Sequence, residues 1–248
     1  MPGGITVPYR VRFDECTPTG VVRTSSLLRY AQDIAWLHSE RLGFDRAWYA
    51  ERGLAWVVRS AELEVRAAVG LGETLELSTA VTDQRKVWAR RRTVAHRPDG
   101  ALVFWAHTDW VMIGPGGAPA RVPAEFPAVF RVPAGGFNPV KVDLDGQPDG
   151  AHAIDVLVRP QDLDPMGHVN NAAYLDYLEE AVLGAGDEAA AQVAGVPRAI
   201  RIEYVLPAAA GARLRGMAWV ADGRVRYRLT DADGRELVRA TLAQEATG

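Results

Sequence analysis

VRFDECTPTGVVRTSSLLRYAQDIA, residues 11–35, lies over VRPQDLDPMGHVNNAAYLDYLEEAV, residues 158–182, at one constant offset and without a gap. Val11/Val158, Arg12/Arg159, Pro18/Pro165, Gly20/Gly167, Val22/Val169, Leu28/Leu175 and Tyr30/Tyr177 are identical pairs, and Gln32/Glu179 and Asp33/Glu180 are similar ones. Such self-similarity implies two copies of one structural unit. It continues weakly downstream, where RSAELEVRAAVGLGETL meets PRAIRIEYVLPAAAGARL and the turn around Asp99 and Gly100 meets that around Asp233 and Gly234.

Periodicity gives each copy the same order of elements. A short strand from Val7 to Phe13 leads through a Pro/Gly turn to a helix from about Ser26 to Leu42, with Leu27, Ala31, Ile34 and His38 at helical spacing and Gly43 as a natural stop. Strand-like runs follow: AWVVRSAELEVRA, ETLELSTAVTDQ, VWARRRTVAHR and ALVFWAHTDWVMIG, the last two joined by the turn PDG. The second copy repeats this with a helix from about Asn171 to Leu183, then AIRIEYVL, RLRGMAWVAD, RVRYRLTD and ELVRATLAQE. On that helix Tyr174, Leu178, Ala181 and Val182 cover one face, and Asp176, Glu179 and Glu180 lie elsewhere. Residues 114–150 are rich in Pro and Gly and lack either period, so they read as a connector running along the outside of both domains. A long helix followed by an antiparallel meander is the hotdog arrangement. The expected fold is therefore α+β: two tandem hotdog domains, each a helix wrapped by an antiparallel sheet, forming a pseudo-dimer. The expected bounds are 1–130, a connector over 131–150, and 151–248.

Composition narrows the function. The chain has 248 residues, 48% of them hydrophobic and 24% charged, as in an ordinary soluble protein. A net charge of -3 and a pI near 6.0 give no basic field for nucleic acid. One cysteine, Cys16, excludes an intrachain disulfide framework, and the N-terminal MPGGITVPYRVRF has no apolar signal core, so a cytoplasmic location is expected. No run is long and apolar enough to span a membrane, and neither a Gly-rich phosphate loop nor metal-type Cys/His spacing appears. No cofactor, metal, membrane or nucleic-acid partner is expected.

The two copies differ where chemistry could sit. At the second helix entrance DLDPMGHVNN carries Asp164, His168 and Asn170, where the first copy has Thr17, Val21 and Arg23. Pro and Gly alone suffice for the turn and occur in both copies, so the acid and the imidazole are extra to the scaffold, and the first copy reads as catalytically silent. Either Asn170 or Asn171 could instead be a helix cap, which needs only a side-chain oxygen.

Taken together, YRVRFDECTPTGVVRTSSLLRYAQDIAWLHSERLG, LAWVVRSAELEV, HTDWVMI and DLDPMGHVNNAAYLDYLEE resemble the tandem-hotdog acyl-acyl carrier protein thioesterases. The D-x-D-x-x-x-H-V-N-N run, with Gly167 before His168, also resembles single-domain acyl-CoA thioesterases. The resemblance implies hydrolysis of a fatty acyl thioester, on acyl carrier protein or CoA, within lipid metabolism and fatty acid biosynthesis. It assigns catalytic roles to Asp164 and His168. The family's Asn two residues after that Asp is Met166 here, and its Glu-Cys pair falls on Pro207 and Ala208, so those roles do not transfer. A leaner site is implied, of Asp164, His168 and Asn170 with Asn171 and Gly167 at the helix entrance. Asp164 would act as general base or nucleophile, and the amides near Asn170, Asn171 and Ala172 would face the oxyanion. The resemblance also gives the first domain a share in the acyl pocket, with Leu27, Ala31, Ile34 and Ala35 as candidate lining, against plain core. Either a monomeric pseudo-dimer or a homodimer would satisfy it.

Two other readings compete. One is an acyl-thioester-binding protein without turnover. The other is a hydratase or dehydratase of the same fold, in which Asp and His usually stand one residue further apart with Asn-Pro between them. RKVWARRR, residues 85–92, alternates as a solvent-facing strand would, and that reading is preferred to a phosphate or carrier contact. Cys16 is expected to be buried or unreactive, Glu64 and Glu203 to be structural strand acids, and His38, His96, His107 and His152 to pack or face solvent.

Overall fold

In the computed structural model, which describes residues 3–133, 135–144 and 146–244, both copies fold into the expected order of elements. The first contains β1 (Ile5–Arg10), α1 (Thr24–Arg41), α2 (Arg46–Glu51), β2 (Ala55–Val65), β3 (Thr74–Arg85), β4 (Trp88–His96), β5 (Leu102–Ile113) and α3 (Phe126–Val129). The second contains β6 (His152–Leu157), α4 (Ala173–Gly184), α5 (Asp187–Ala194), β7 (Arg198–Tyr204), β8 (Arg213–Ala221), β9 (Arg224–Asp231) and β10 (Glu236–Ala243). Strand order is β1-β3-β4-β5-β2 in the first and β6-β8-β9-β10-β7 in the second, the same arrangement twice. The chain divides into two compact units after Pro139, with Glu62–Arg66 grouping with the second.

Each long helix buries one apolar face on its own sheet. On α1 that face is Leu27, Leu28, Ala31, Ile34 and Ala35, packed chiefly on β3, where Leu75 and Leu77 alternate with exposed Thr74 and Glu76. On α4 it is Tyr174, Leu175, Tyr177, Leu178, Ala181 and Val182, packed on β6 and β8. Each fully buried side chain of this size contributes roughly 1.5–3 kcal/mol, which makes these faces the main reason the helices form. Gly43 stops α1 in the left-handed region at φ +86, a conformation that costs a glycine little.

Two local expectations differ from the structure. The front of the connector is core: Val122, Phe126 and Phe130 are buried with Phe44 and Tyr49, and the Phe126 and Phe130 rings stack at 4.0 Å. Isolated aromatics spaced by prolines have no period, so periodicity could not reveal their burial. The basic run of residues 85–92 is a solvated face only in part: Arg85, Lys86 and Arg92 are exposed, whereas Arg90 is covered. Arg90 makes a bidentate pair with the fully buried Asp109 at 2.7 and 2.9 Å, and Ser60 donates to the same carboxylate at 2.9 Å. Residues of the connector cover this pair, since Arg90 donates to the Asn138 carbonyl at 3.1 Å and lies over the Phe137 ring. Its neighbour Arg91 is buried and donates to His38 Nδ1 at 2.9 Å. Only Arg92 of the three is exposed.

Candidate active site

The site grows from a scaffold that both copies share. In the second unit a single 3-10 turn, Pro160–Asp162, sets the Asp162 carboxylate to accept from Arg159 N at 2.9 Å, from the Arg159 guanidinium at 2.9 and 3.2 Å, and from the Tyr177 hydroxyl at 2.8 Å. The Asp162 carbonyl then accepts Asn170 N at 2.8 Å, tying the chain just before α4 to the turn. In the first unit Glu15 takes the same place, bound by Arg12 N at 2.8 Å, by the Arg12 guanidinium and by the Tyr30 hydroxyl, with Arg23 N on its carbonyl at 2.9 Å. Burial pushes the Asp162 carboxyl up, but the Arg159 and Tyr177 hydrogen bonds outweigh it and hold the group below the usual carboxylate range. The first aspartate of D-x-D is therefore structural.

The turn that follows is likewise duplicated. Asp164 N donates to the His168 carbonyl at 2.8 Å and Gly167 N to the Asp164 carbonyl at 2.9 Å, with Gly167 at φ +80. Thr17, Val21 and Gly20 make the same two bonds at 2.7 and 2.9 Å, with Gly20 at φ +78. On this common frame the second copy alone places a carboxylate and an imidazole. Asp164 is half-buried, and its Oδ1 accepts Met166 N at 2.8 Å; among the described residues Oδ2 has no hydrogen-bond donor. His168 is exposed, and its ring makes no hydrogen bond among the described residues. The turn brings the two backbones face to face without joining the side chains directly.

Asn170 and Asn171 divide the remaining tasks. The Asn170 side chain accepts Ala172 N at 2.9 Å and its carbonyl accepts Ala173 N at 2.9 Å, closing the turn that leads into α4; the N-cap position itself is Ala172, so neither asparagine is the helix cap. The amides of Asn170 and Ala172 are thus already engaged. Asn171 N, between them, has no acceptor among the described residues, and its carbonyl accepts the Tyr204 hydroxyl at 3.0 Å. Of the backbone donors expected at this entrance, Asn171 is the one left to bind an anion at the positive end of α4. Met166 is exposed above the turn, and Ala208 is buried beside it, pairing with Val169 N at 3.2 Å. Leu27, Ala31, Ile34 and Ala35 all belong to the buried face of α1 in the first unit.

Two tyrosines at this entrance are not among the expected site residues, although Tyr174 is expected on the apolar face of the helix. Tyr174 is buried in the first turn of α4, and its hydroxyl accepts Ala208 N at 3.0 Å. Burial, with the Asp164 charge adding to it, pushes the Tyr174 phenol up to about 12. Tyr204 holds the Asn171 carbonyl, and the two rings lie 5.7 Å apart. The repeat held the signal, because the first copy has Leu27 and Val65 at these places. Among the described residues no group of three or more His, Cys, Asp or Glu side chains is placed to hold a metal ion, and no helix is long and apolar enough to cross a membrane.

Known proteins carry the same architecture. Residues 5–129 match the family model of the acyl-ACP thioesterase N-terminal domain, and residues 158–242 match that of the thioesterase-like superfamily. A 12:0-ACP thioesterase from Umbellularia californica is 20% identical, with 100% of this chain and 99% of that one covered at a TM-score of 0.79. An acyl-ACP thioesterase from Bacteroides thetaiotaomicron is 17% identical, with 98% of each chain covered and a TM-score of 0.81. A Lactobacillus plantarum protein described as a candidate oleoyl thioesterase is 19% identical over 98% of this chain and 97% of its own, at 0.83. No curated sequence matches the chain. These structures share the tandem hotdog fold, and the family model spans half of the sequence: the chain belongs to the acyl-acyl carrier protein thioesterases, a family of thioester hydrolases.

Proposed function

We propose that the protein releases fatty acids from acyl-acyl carrier protein at one site, the entrance of α4, with Asp164 as the group that activates the attack. The observation that carries this reading is the asymmetry of two otherwise matching turns. Thr17 and Gly20 repeat the backbone bonds of Asp164 and Gly167, yet only the second turn bears an acid and an imidazole.

Asp164 Oδ1 is occupied by Met166 N, which leaves Oδ2 for the reaction. As a base it takes a proton from water while the water oxygen bonds to the thioester carbon; as a nucleophile the same oxygen attacks that carbon. Either way the carbonyl oxygen becomes an oxyanion, and the free Asn171 N–H at the helix start is its donor. The C–S bond then breaks: in the base route the sulfur leaves as thiol with the proton that Asp164 took from water, and in the nucleophile route the acyl group stays on Asp164 as an anhydride, which water hydrolyses to fatty acid and free carboxylate while supplying the proton for the sulfur. His168, exposed and unbound among the described residues, is available to the thioester or to the attacking water. Asn170 acts by fixing the helix start, through its bond to Ala172 N.

The family match favours acyl carrier protein over CoA as the carrier. Free-thiol release from a chain-length series of both carriers tests the reading. Repeated turnover with acyl-acyl carrier protein is expected. Saturable binding with no thiol released from either carrier would instead mean a binding protein, and hydration of an enoyl-CoA would mean a hydratase.

A further inference from the structure

The polar groups that separate the two copies do not end at the turn. Leu27 in α1 becomes Tyr174 in α4, and the new hydroxyl is buried rather than turned to water. It accepts Ala208 N at 3.0 Å, and the Ala208 carbonyl accepts Val169 N at 3.2 Å. Val169 bridges Leu163, and its neighbour His168 receives Asp164 N at 2.8 Å. Hydrogen bonds and β-bridges, joined through the backbone of Ala208 and of His168–Val169, thus tie the strand segment that anchors the Tyr174 hydroxyl to the turn that carries Asp164. The first copy keeps the strand contact, Val22 N to the Val69 carbonyl at 2.9 Å, without any hydroxyl. The tyrosine oxygen is therefore not needed to hold the fold.

A phenol that accepts one N–H still has its own proton to give. Among the described residues the Tyr174 proton has no acceptor, and the charge felt at the hydroxyl is that of Asp164. The other titratable groups facing Tyr174 are Tyr177 on α4, Tyr204 on β7 and Tyr227 on β9, all phenols that burial raises and keeps neutral. His168 stands in the same turn, at the surface.

We infer that Tyr174 is a positioning residue of the hydrolytic site: anchored by the Ala208 amide, it donates its proton to the attacking water that the Asp164 carboxylate holds, and so keeps that carboxylate ionised and oriented. This rests on the function proposed above and adds a residue to it. A hydrogen bond donated to the ionised form favours that form, so its loss shifts the requirement for an ionised carboxylate to higher pH.

Two measurements on the full chain test it. In Tyr174→Phe, kcat/KM should keep its plateau to within about tenfold while its acid limb moves up by roughly one pH unit, with KM changed less than twofold, the expectation for one lost hydrogen bond to a charged group. An unmoved limb would overturn the inference and leave the hydrolase reading intact. Tyr174→Leu, which restores the residue of the first copy, serves the same comparison if the Phe variant folds poorly. The second measurement needs no turnover. The 13Cζ resonance of Tyr174, in protein labelled at tyrosine, should show a step on acidification that disappears in Asp164→Asn. A step that survives in that variant but vanishes in His168→Asn, or no step at all, would overturn the inference. If wild type releases no thiol from any substrate, the hydrolase reading fails on its own, and the resonance alone decides whether Tyr174 and Asp164 interact.

Discussion

Replacing Asp162 with Ala should destabilise the protein by about 3 kcal/mol while leaving the reactive carboxylate in place. The carboxylate is 5% exposed and accepts from Arg159 N, the Arg159 guanidinium and the Tyr177 hydroxyl. Arg159 is 56% exposed at its side chain, so water takes over much of its bonding and that part of the loss is small. Tyr177 is buried, and stranding its hydroxyl costs roughly 1–3 kcal/mol by itself. The Arg159 amide and the cavity left by the carboxylate make up the rest. For a chain of this length, about 3 kcal/mol corresponds to a Tm lower by roughly 6–12 °C. Because the folded carboxyl is held below its ordinary value, its contribution is complete above an unfolded pKa of about 3.9 and disappears as pH falls through the lower folded value. Urea unfolding of wild type, D162A, Y177F and the double variant, at neutral pH and again near pH 3, would measure the loss, its coupling to Tyr177 and its pH dependence. A D162A protein within about 0.5 kcal/mol of wild type at neutral pH would refute the structural assignment.

Other expectations follow from the same geometry. His38 is held down to about 4 by burial and by the neighbouring Arg91 charge, so it folds neutral. Stability it contributes is complete above about pH 6.5 and is lost as pH falls towards 4, by up to about 3 kcal/mol; unfolding curves of His38→Gln should be flatter over that window. Asp109→Ala should cost about 3–5 kcal/mol in urea unfolding, since it strands the Arg90 guanidinium in a covered site. Gly167→Ala meets nothing within 4 Å, so only the left-handed backbone opposes it; a loss of about 1 kcal/mol and a lower kcat are expected. Asn170→Ala removes the turn bond to Ala172 N and should lower stability by roughly 0.5–1.5 kcal/mol, read by thermal denaturation.

Much of this was legible in the sequence, for identifiable reasons. The order of elements followed from two periods and one self-alignment, because helix and strand faces had to bury apolar side chains on a sheet in both copies. The functional reading of the turn came from the positions where the copies part, Asp164 against Thr17 and His168 against Val21. The same comparison, carried further, separates Asp162 from the chemistry. Its partner is Glu15, an acid in the silent copy, and Arg12/Arg159 and Tyr30/Tyr177 are identical around it. It also points to Tyr174, opposite Leu27. Alternation could not show whether an outer strand face is covered, so the cover that Phe137 and Asn138 give Arg90 lay beyond it, as did the pairing of the inward-turned Arg91 with His38. Nor could spacing tell that Asn170 closes the turn ahead of α4 while Ala172 holds the N-cap position, since that depends on where the first helical amides point.

The proposed hydrolysis depends on Asp164, and its most direct test is the rate of thiol release from acyl-acyl carrier protein by wild type and Asp164→Ala at equal, folded concentration. Asp164 contributes one exposed turn bond, to Met166 N, so the variant should stay within about 1 kcal/mol of wild-type stability. Loss of turnover by about a hundredfold or more in that stable protein is the predicted result. Wild-type turnover in Asp164→Ala would contradict it and move the chemistry away from the entrance of α4.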